Sequence, residues 1–177
     1  MHKIKISRIQ KKIFSHKGFD PCGCYGSSCN DSCCSEGADI DRESYALIIK
    51  HRKEIEALIK SSVGKCFSRK WGRDDEYLGK GYIRSRMKKG FCIFHLSGEK
   101  GCALFRLSQK KGISRRIIPS ICRLYPLSWN KGRLYIHKSI KSGCGCLSSK
   151  SELSKSVFET QKKEIDEIFK IKLKRKK

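Results

Sequence analysis

Eleven cysteines in a chain of 177 residues constrain this fold more than any other feature. Cys24, Cys29, Cys33 and Cys34 crowd into one short segment, and Cys22 stands beside them. An odd count leaves at least one thiol outside any complete disulfide framework. Such a framework also needs an oxidising compartment, usually reached through a secretory signal. The N-terminal stretch MHKIKISRIQKKIF carries charge throughout and no continuous apolar segment, so no signal peptide is read there. Nor does any run of about 18 apolar residues offer a membrane span. The expectation is a cytoplasmic chain whose thiols stay reduced unless metal claims them.

Thiolate is the ligand of both tetrahedral zinc and iron–sulfur clusters, and short spacings let one loop wrap a single centre. Residues 19 to 38 (FDPCGCYGSSCNDSCCSEGA) are rich in Gly, Ser and Cys without apolar periodicity, which reads as an irregular loop. Loops of that length need something to organise them, and a metal would do so. The adjacent Cys33 and Cys34 are expected to point apart, so one of the pair should serve a second site or be a structural thiol. Downstream, Cys92, Cys102, Cys122, Cys144 and Cys146 supply further thiols, enough to complete one shared centre or build another. The hydrophobic fraction of 38% permits only a modest core, and thin cores are often supplemented by metal.

The remaining pattern predicts a small, loop-rich α+β domain with short strands and two longer helices. A basic leader, 1–18, is read as a short strand and a turn. A cysteine-rich domain follows over 19–146, and a C-terminal amphipathic helix with a basic tail occupies 147–177. The first helix is expected over 41–62, capped by Asp39 or Asp41, with Glu43 in its first turn and Gly64 as its stop. Its apolar stripe is Tyr45, Ile48, Ile49, Ile55, Leu58 and Ile59, interrupted at Arg52. The second is expected over 150–174, with Ser149 and Glu152 spaced as a capping box. Between them, GFCIFHL reads as a strand ending near His95, CALFRLSQKKG as a short helix, and ISRRIIPSICRLYPLSW as extended chain punctuated by Pro119 and Pro126. RLYIHKSI (133–140) reads as a strand.

Taken in order, the CC-containing loop, CIFHLSGEKGCALF and PSICRLYP resemble the bacterial YkgJ-type cysteine-cluster proteins, described as zinc- or iron-chelating domains. They are also similar to the cluster region of flagellin lysine methylases. The resemblance covers about residues 19–146. It implies metal ligation by Cys29, Cys33, Cys34, Cys92, Cys102 and Cys122. Cys24 fits a longer variant of the first motif, and Cys144 and Cys146 match a trailing cysteine less securely. Cys22 and Cys66 have no counterpart. The resemblance leaves zinc and iron–sulfur both open and implies no reaction for so short a chain.

Other candidates carry less. His95, three residues after Cys92, could join a mixed Cys/His site, but a satisfied strand-end histidine explains it more simply. Cys66 lies among Lys65, Arg69 and Lys70, which would favour its thiolate and hence nucleophilicity. Arg123, Tyr125 and Pro126 either support the centre from behind or form a packed turn. Asp74, Asp75 and Glu76 read as a solvated turn, and His137 as a solvent-facing strand residue. No phosphate loop, dinucleotide glycine pattern, HExxH or G-x-S-x-G occurs, so no common enzyme class is supported. The net charge of +24 invites polyanions. Trp71, Tyr77, Tyr82 and Phe91 interleave with Lys and Arg and could stack bases, although edge packing explains them as well. The sequence thus predicts a metal-binding protein holding zinc or an iron–sulfur cluster. An iron–sulfur enzyme of redox or group-transfer type and a non-specific nucleic-acid module stand as alternatives.

Overall fold

The computed structural model describes residues 3–16, 31–96, 98–99, 101–137 and 155–173. The chain divides into two units, one made of 1–30 with 124–177 and the other of 31–123. Along the chain the elements begin with β1 (Ile4–Ile6), β2 (Arg8–Ile9), α1 (Lys12–Ser15) and β3 (Asp39–Asp41). Next come α2 (Arg42–Lys50), α3 (Arg52–Ile59), β4 (Phe67–Arg73) and β5 (Gly81–Ser85). The hairpin β6 (Met87–Lys88) and β7 (Phe91–Cys92) precedes α4 (Ala103–Ser108) and α5 (Ser120–Leu124). β8 (Leu127–Asn130), β9 (Arg133–Ile136), α6 (Val157–Thr160), α7 (Lys162–Ile168) and β10 (Phe169–Ile171) complete the order. Helices and small sheets mix as an α+β fold, as the sequence predicts. Among the described residues no helix is long and apolar enough to cross a membrane.

In the 31–123 unit, β3, β5 and β4 form an antiparallel sheet with β5 in the centre. Ile40 and Ile83 are register partners and both are buried. Asp41 ends β3 and caps α2, its Oδ1 accepting from the Ser44 N–H at 2.9 Å. The expected single helix is two: His51 departs from helical dihedrals (φ −101°, ψ 26°), close to the gap in the apolar stripe. Ile48, Ile55 and Ile59 bury, whereas Ile49 is exposed. The stop comes earlier than Gly64, at Lys60, which adopts the left-handed conformation (φ 51°).

The stretch expected to be extended after Gly112 instead makes two short helical turns before it extends into β8 at Leu127. The Ser114 hydroxyl caps a short turn, Arg115–Ile117, and the Pro119 carbonyl accepts from the N–H groups of Cys122 and Arg123 to start α5. Proline suits the first turn of a helix because no N–H is needed there. Cys122 is thereby carried on a helix. Within the 64–90 stretch, β4 and β5 extend over seven and five residues because their backbones pair with each other.

In the other unit, β1 pairs in parallel with β10, Ile4 opposite Phe169. β9 lies between β2 and β8 in a second sheet. β8 and β9 are joined through Lys131 and Gly132, both with positive φ (49° and 67°), the signature of a type I′ hairpin turn. The C-terminal helix is shorter than predicted. Its capping box is Ser156 with Glu159, while Ser149 and Glu152 lie outside the described residues. It bends at Gln161, whose Nε2 donates to the carbonyls of Leu124 and Tyr125. Phe169 follows the helical stripe yet sits in β10, because pairing with β1 satisfies its backbone. Ile4, Ile6, Ile13, Leu134, Val157, Ile165 and Ile168 are buried in this unit.

Candidate metal centre

Cys33 and Cys34 lie on a single 3₁₀ turn, Ser32–Cys34, closed by the Cys34 N–H donating to the Asp31 carbonyl at 2.8 Å. Neighbours on such a turn stand about 120° apart, less than the opposition an extended strand would impose. The two sulfurs approach to 4.0 Å. The expectation that they would point apart is therefore corrected. The edge of a tetrahedral thiolate site with metal–sulfur bonds of about 2.3 Å is roughly 3.8 Å.

Asp31 fixes this turn from behind. It is buried, with φ 55°, and its Oδ1 accepts from the Gly101 N–H at 2.9 Å while Oδ2 meets His95 Nε2 at 3.1 Å. Gly101 immediately precedes Cys102, and His95 forms an isolated antiparallel bridge with Cys102. One carboxylate thus ties the Cys33–Cys34 turn to the segment carrying Cys102. His95 is engaged by Asp31 and stacks on Phe91 at 4.4 Å, so it is a satisfied histidine, but it does not end a strand: β7 stops at Cys92.

A second buried carboxylate, Asp41, holds the segment of Cys122. Its Oδ2 accepts from the Ser120 N–H at 2.9 Å and from the Ser44 hydroxyl at 3.1 Å, so the cap of α2 also anchors the start of α5. Arg123 is buried beside Cys122, with Nε donating to the Ile118 carbonyl at 3.1 Å. Cys92 is buried on β7 and donates to Ser85 Oγ at 3.3 Å, an oxygen that also accepts from the Ala38 N–H. The positional roles of Asp31, Asp41 and Ser85 escape sequence reading. Asp41 is legible as a cap, but nothing in the spacing shows that it also reaches Ser120.

The thiols sense one another. Cys34 is pushed far above its ordinary value, first by its hydrogen bond with Cys33, then by burial, then by negative charge on Cys33, Cys102 and Cys122. Burial, followed by charge on Cys92, pushes Cys102 up to about 12, against the pull of the Phe105 and Leu104 N–H groups. Burial raises Cys92, opposed by the Ser85 hydrogen bond, and charge on Cys33 adds to the rise. Anionic sulfur is unfavourable here without a cation. A divalent ion at such a cluster would reverse that balance and deprotonate the thiols. Among the described residues, no three His, Cys, Asp or Glu side chains close to the distances that would hold an ion. The donor chemistry fits a soft, thiolate-bound metal, with the Cys33–Cys34 pair close to ligand spacing.

Cys66 overturns its expected reactivity. It is fully buried, its thiol donates to the Ser62 carbonyl at 3.4 Å, and burial pushes it up to about 11. The basic residues around it in sequence do not outweigh that loss of solvent. The interleaved aromatics have partners inside the molecule. Tyr77 stacks on Tyr82 at 4.4 Å, and Trp71 sits edge-on to Tyr45 beneath Arg42. Asp74 accepts from the Glu76 N–H and Asp75 meets Lys80 at the surface, as a solvated turn requires. His137 is half-buried rather than solvent-facing, its ring 6.3 Å from that of Tyr125. Cys22, Cys24, Cys29, Cys144 and Cys146 lie outside the described residues.

The fold is a small α+β one, with Cys33 and Cys34 in sulfur contact and Cys66 and Cys92 buried. No family model, curated protein or solved structure matches the chain.

Proposed function

We propose that the 31–123 unit binds a metal through cysteine thiolates, with Cys33 and Cys34 as a ligand pair and Cys102, Cys122 and Cys92 as the nearby donors. The observation that carries this reading is the 4.0 Å approach of the Cys33 and Cys34 sulfurs. Supporting it are two buried carboxylates that anchor the segments of Cys102 and Cys122. The reading agrees with the metal chelation that the cysteine-cluster resemblance implies. Two thiolates on one ion argue against a four-iron cluster, in which each iron takes a single cysteine, and suit zinc or a two-iron cluster; zinc is the reading put to the test. Zinc here supplies folding energy and closes the thiols to oxidation.

The test is anaerobic purification followed by metal analysis and an absorption spectrum. One equivalent of zinc in a colourless protein, lost in Cys34→Ser, is the expected result. A brown protein with visible charge-transfer absorption would keep the thiolate site but replace zinc with an iron–sulfur cluster. A metal-free protein whose stability is unchanged in Cys34→Ser and Cys122→Ser would end the reading.

A further inference from the structure

The outward face of the β2–β9–β8 sheet holds a charge arrangement that folding alone does not explain. Arg8 and Arg133 are register partners on adjacent strands, and Asn130 stands opposite Arg133 on the third. Residues two apart on a strand share a face, which puts Gln10 and Tyr135 beside this row. Ile9, Leu134 and Trp129 take the opposite face, where Leu134 and Trp129 are buried. The two arginines are exposed, on strands about 4.8 Å apart. Like charges so placed repel. Among the described residues neither arginine has an ion pair.

Acids are too few to supply one. This unit's acidic residues are Asp20, Glu152, Glu159, Glu164, Asp166 and Glu167, against twenty Lys and Arg. The four described acids all lie on α6 and α7, where Glu159 serves the capping box and Asp166 pairs with Lys162. The face is also concave. Arg8, Arg133, Asn130, Gln10, Tyr135 and Lys131 line a hollow of about 400 Å³, with Lys131 exposed on the hairpin turn at its rim. Tyr135 is half-exposed, and among the described residues its ring stacks on no other aromatic.

We propose that this face binds single-stranded nucleic acid, Arg8 and Arg133 taking backbone phosphates and Tyr135 offering a ring to a base. Phosphate explains the paired arginines, because an anion turns their repulsion into a site. The unstacked ring selects a nucleic acid over a plain polyanion, since every base has a face to stack. A lipid surface suits the site less well, because no exposed large apolar side chain lies on these strands. Gln10 is not free to read a base with its carbonyl, which already accepts from the Ile136 N–H at 3.0 Å. Recognition therefore falls on backbone and stacking, giving little sequence preference. The proposal draws nothing from the thiol cluster and stands or falls apart from it.

The experiment is fluorescence-anisotropy titration of the full chain with a labelled single-stranded RNA of mixed sequence, repeated across a salt series. Arg8→Gln with Arg133→Gln should weaken binding at least tenfold and lower the slope of log affinity against log salt by about 1.4, two phosphates at about 0.7 each. Tyr135→Leu should weaken binding about tenfold with the slope unchanged, because stacking and not charge is lost. Arg133→Gln alone should raise the thermal midpoint while lowering affinity, which a purely structural arginine would not do. The control pair Lys50→Gln with Lys53→Gln removes equal exposed charge from the other unit and should change affinity less than twofold. Equal loss in both double variants would reduce the effect to bulk charge and overturn the proposal. So would an unchanged affinity in Tyr135→Leu, or equal competition by polyglutamate or anionic vesicles.

Discussion

The two units solve the same problem of a thin hydrophobic supply in opposite ways. The 124–177 segment and the N-terminal strands bury mainly Ile, Leu, Val and Phe, with Gln161 and Glu164 as the larger polar side chains buried beside them. The 31–123 unit also has an apolar core, but it buries Asp31, Asp41 and the thiols of Cys66 and Cys92 as well, with four more thiols half-buried. A buried carboxylate is tolerated only when its oxygens are filled, and each oxygen of Asp31 and Asp41 accepts at least one hydrogen bond. Aliphatic packing is forgiving of small changes in shape. A polar network is not, because each lost partner leaves a desolvated group behind. The contrast locates specificity in one unit and a plain scaffold with a charged face in the other.

The largest effect that would sharpen this contrast is metal removal. Chelation at neutral pH should cost on the order of 10 kcal/mol of folding energy if zinc is structural. Amide exchange should then lose protection across β3, β5 and α4 while β8 and β9 keep theirs. Uniform loss, or none, would break the comparison. Next in size, Asp41→Ala orphans the Ser44 N–H and the Ser120 N–H and leaves the Ser44 hydroxyl only the Ile118 carbonyl at 3.3 Å, a loss of about 3 kcal/mol in a urea melt. The same change should lower metal content, since the start of α5 loses its anchor. Leu134→Ala should cost about 3 kcal/mol by leaving a cavity in the other unit, with metal content intact.

The smallest effect concerns Cys66. Its folded value of about 11 stands above the ordinary thiol value of about 8.5. A raised thiol contributes stability that is complete below the unfolded value and is lost as pH rises through the folded one. Stability should therefore decline between about pH 8.5 and 11. Cys66→Ala should flatten that alkaline limb in pH-dependent melts. The intact protein should also leave Cys66 unmodified by iodoacetamide at pH 8, as mass spectrometry of the labelled peptides would report.

Periodicity and caps were the legible part of this fold. The stripe through Ile48, Ile55 and Ile59 marks the inner face of α2 and α3, and Asp41 is a readable cap because its side chain acts three residues away. The break at Gln161 was not legible, since it depends on the distant carbonyls of Leu124 and Tyr125, whereas that at His51 falls beside the gap the stripe shows at Arg52. Phe169 shows the same limit: its spacing suits a helix, but a partner strand more than 160 residues away decides its backbone. At the centre, the cysteines announce the chemistry by number. Their spacing misled about Cys33 and Cys34, because the turn that draws the sulfurs together is set by Asp31, Gly101 and His95. Cys66 misled in the other direction, since nearby lysines in sequence say nothing of burial.

The central claim is that Cys33 and Cys34 share one ion. Its most direct test is X-ray absorption spectroscopy of the zinc-loaded protein, compared with Cys33→Ser and Cys34→Ser. The account predicts a sulfur-dominated first shell at about 2.3 Å in the parent, with a sulfur ligand lost in each variant. An unchanged sulfur shell in either variant would contradict it.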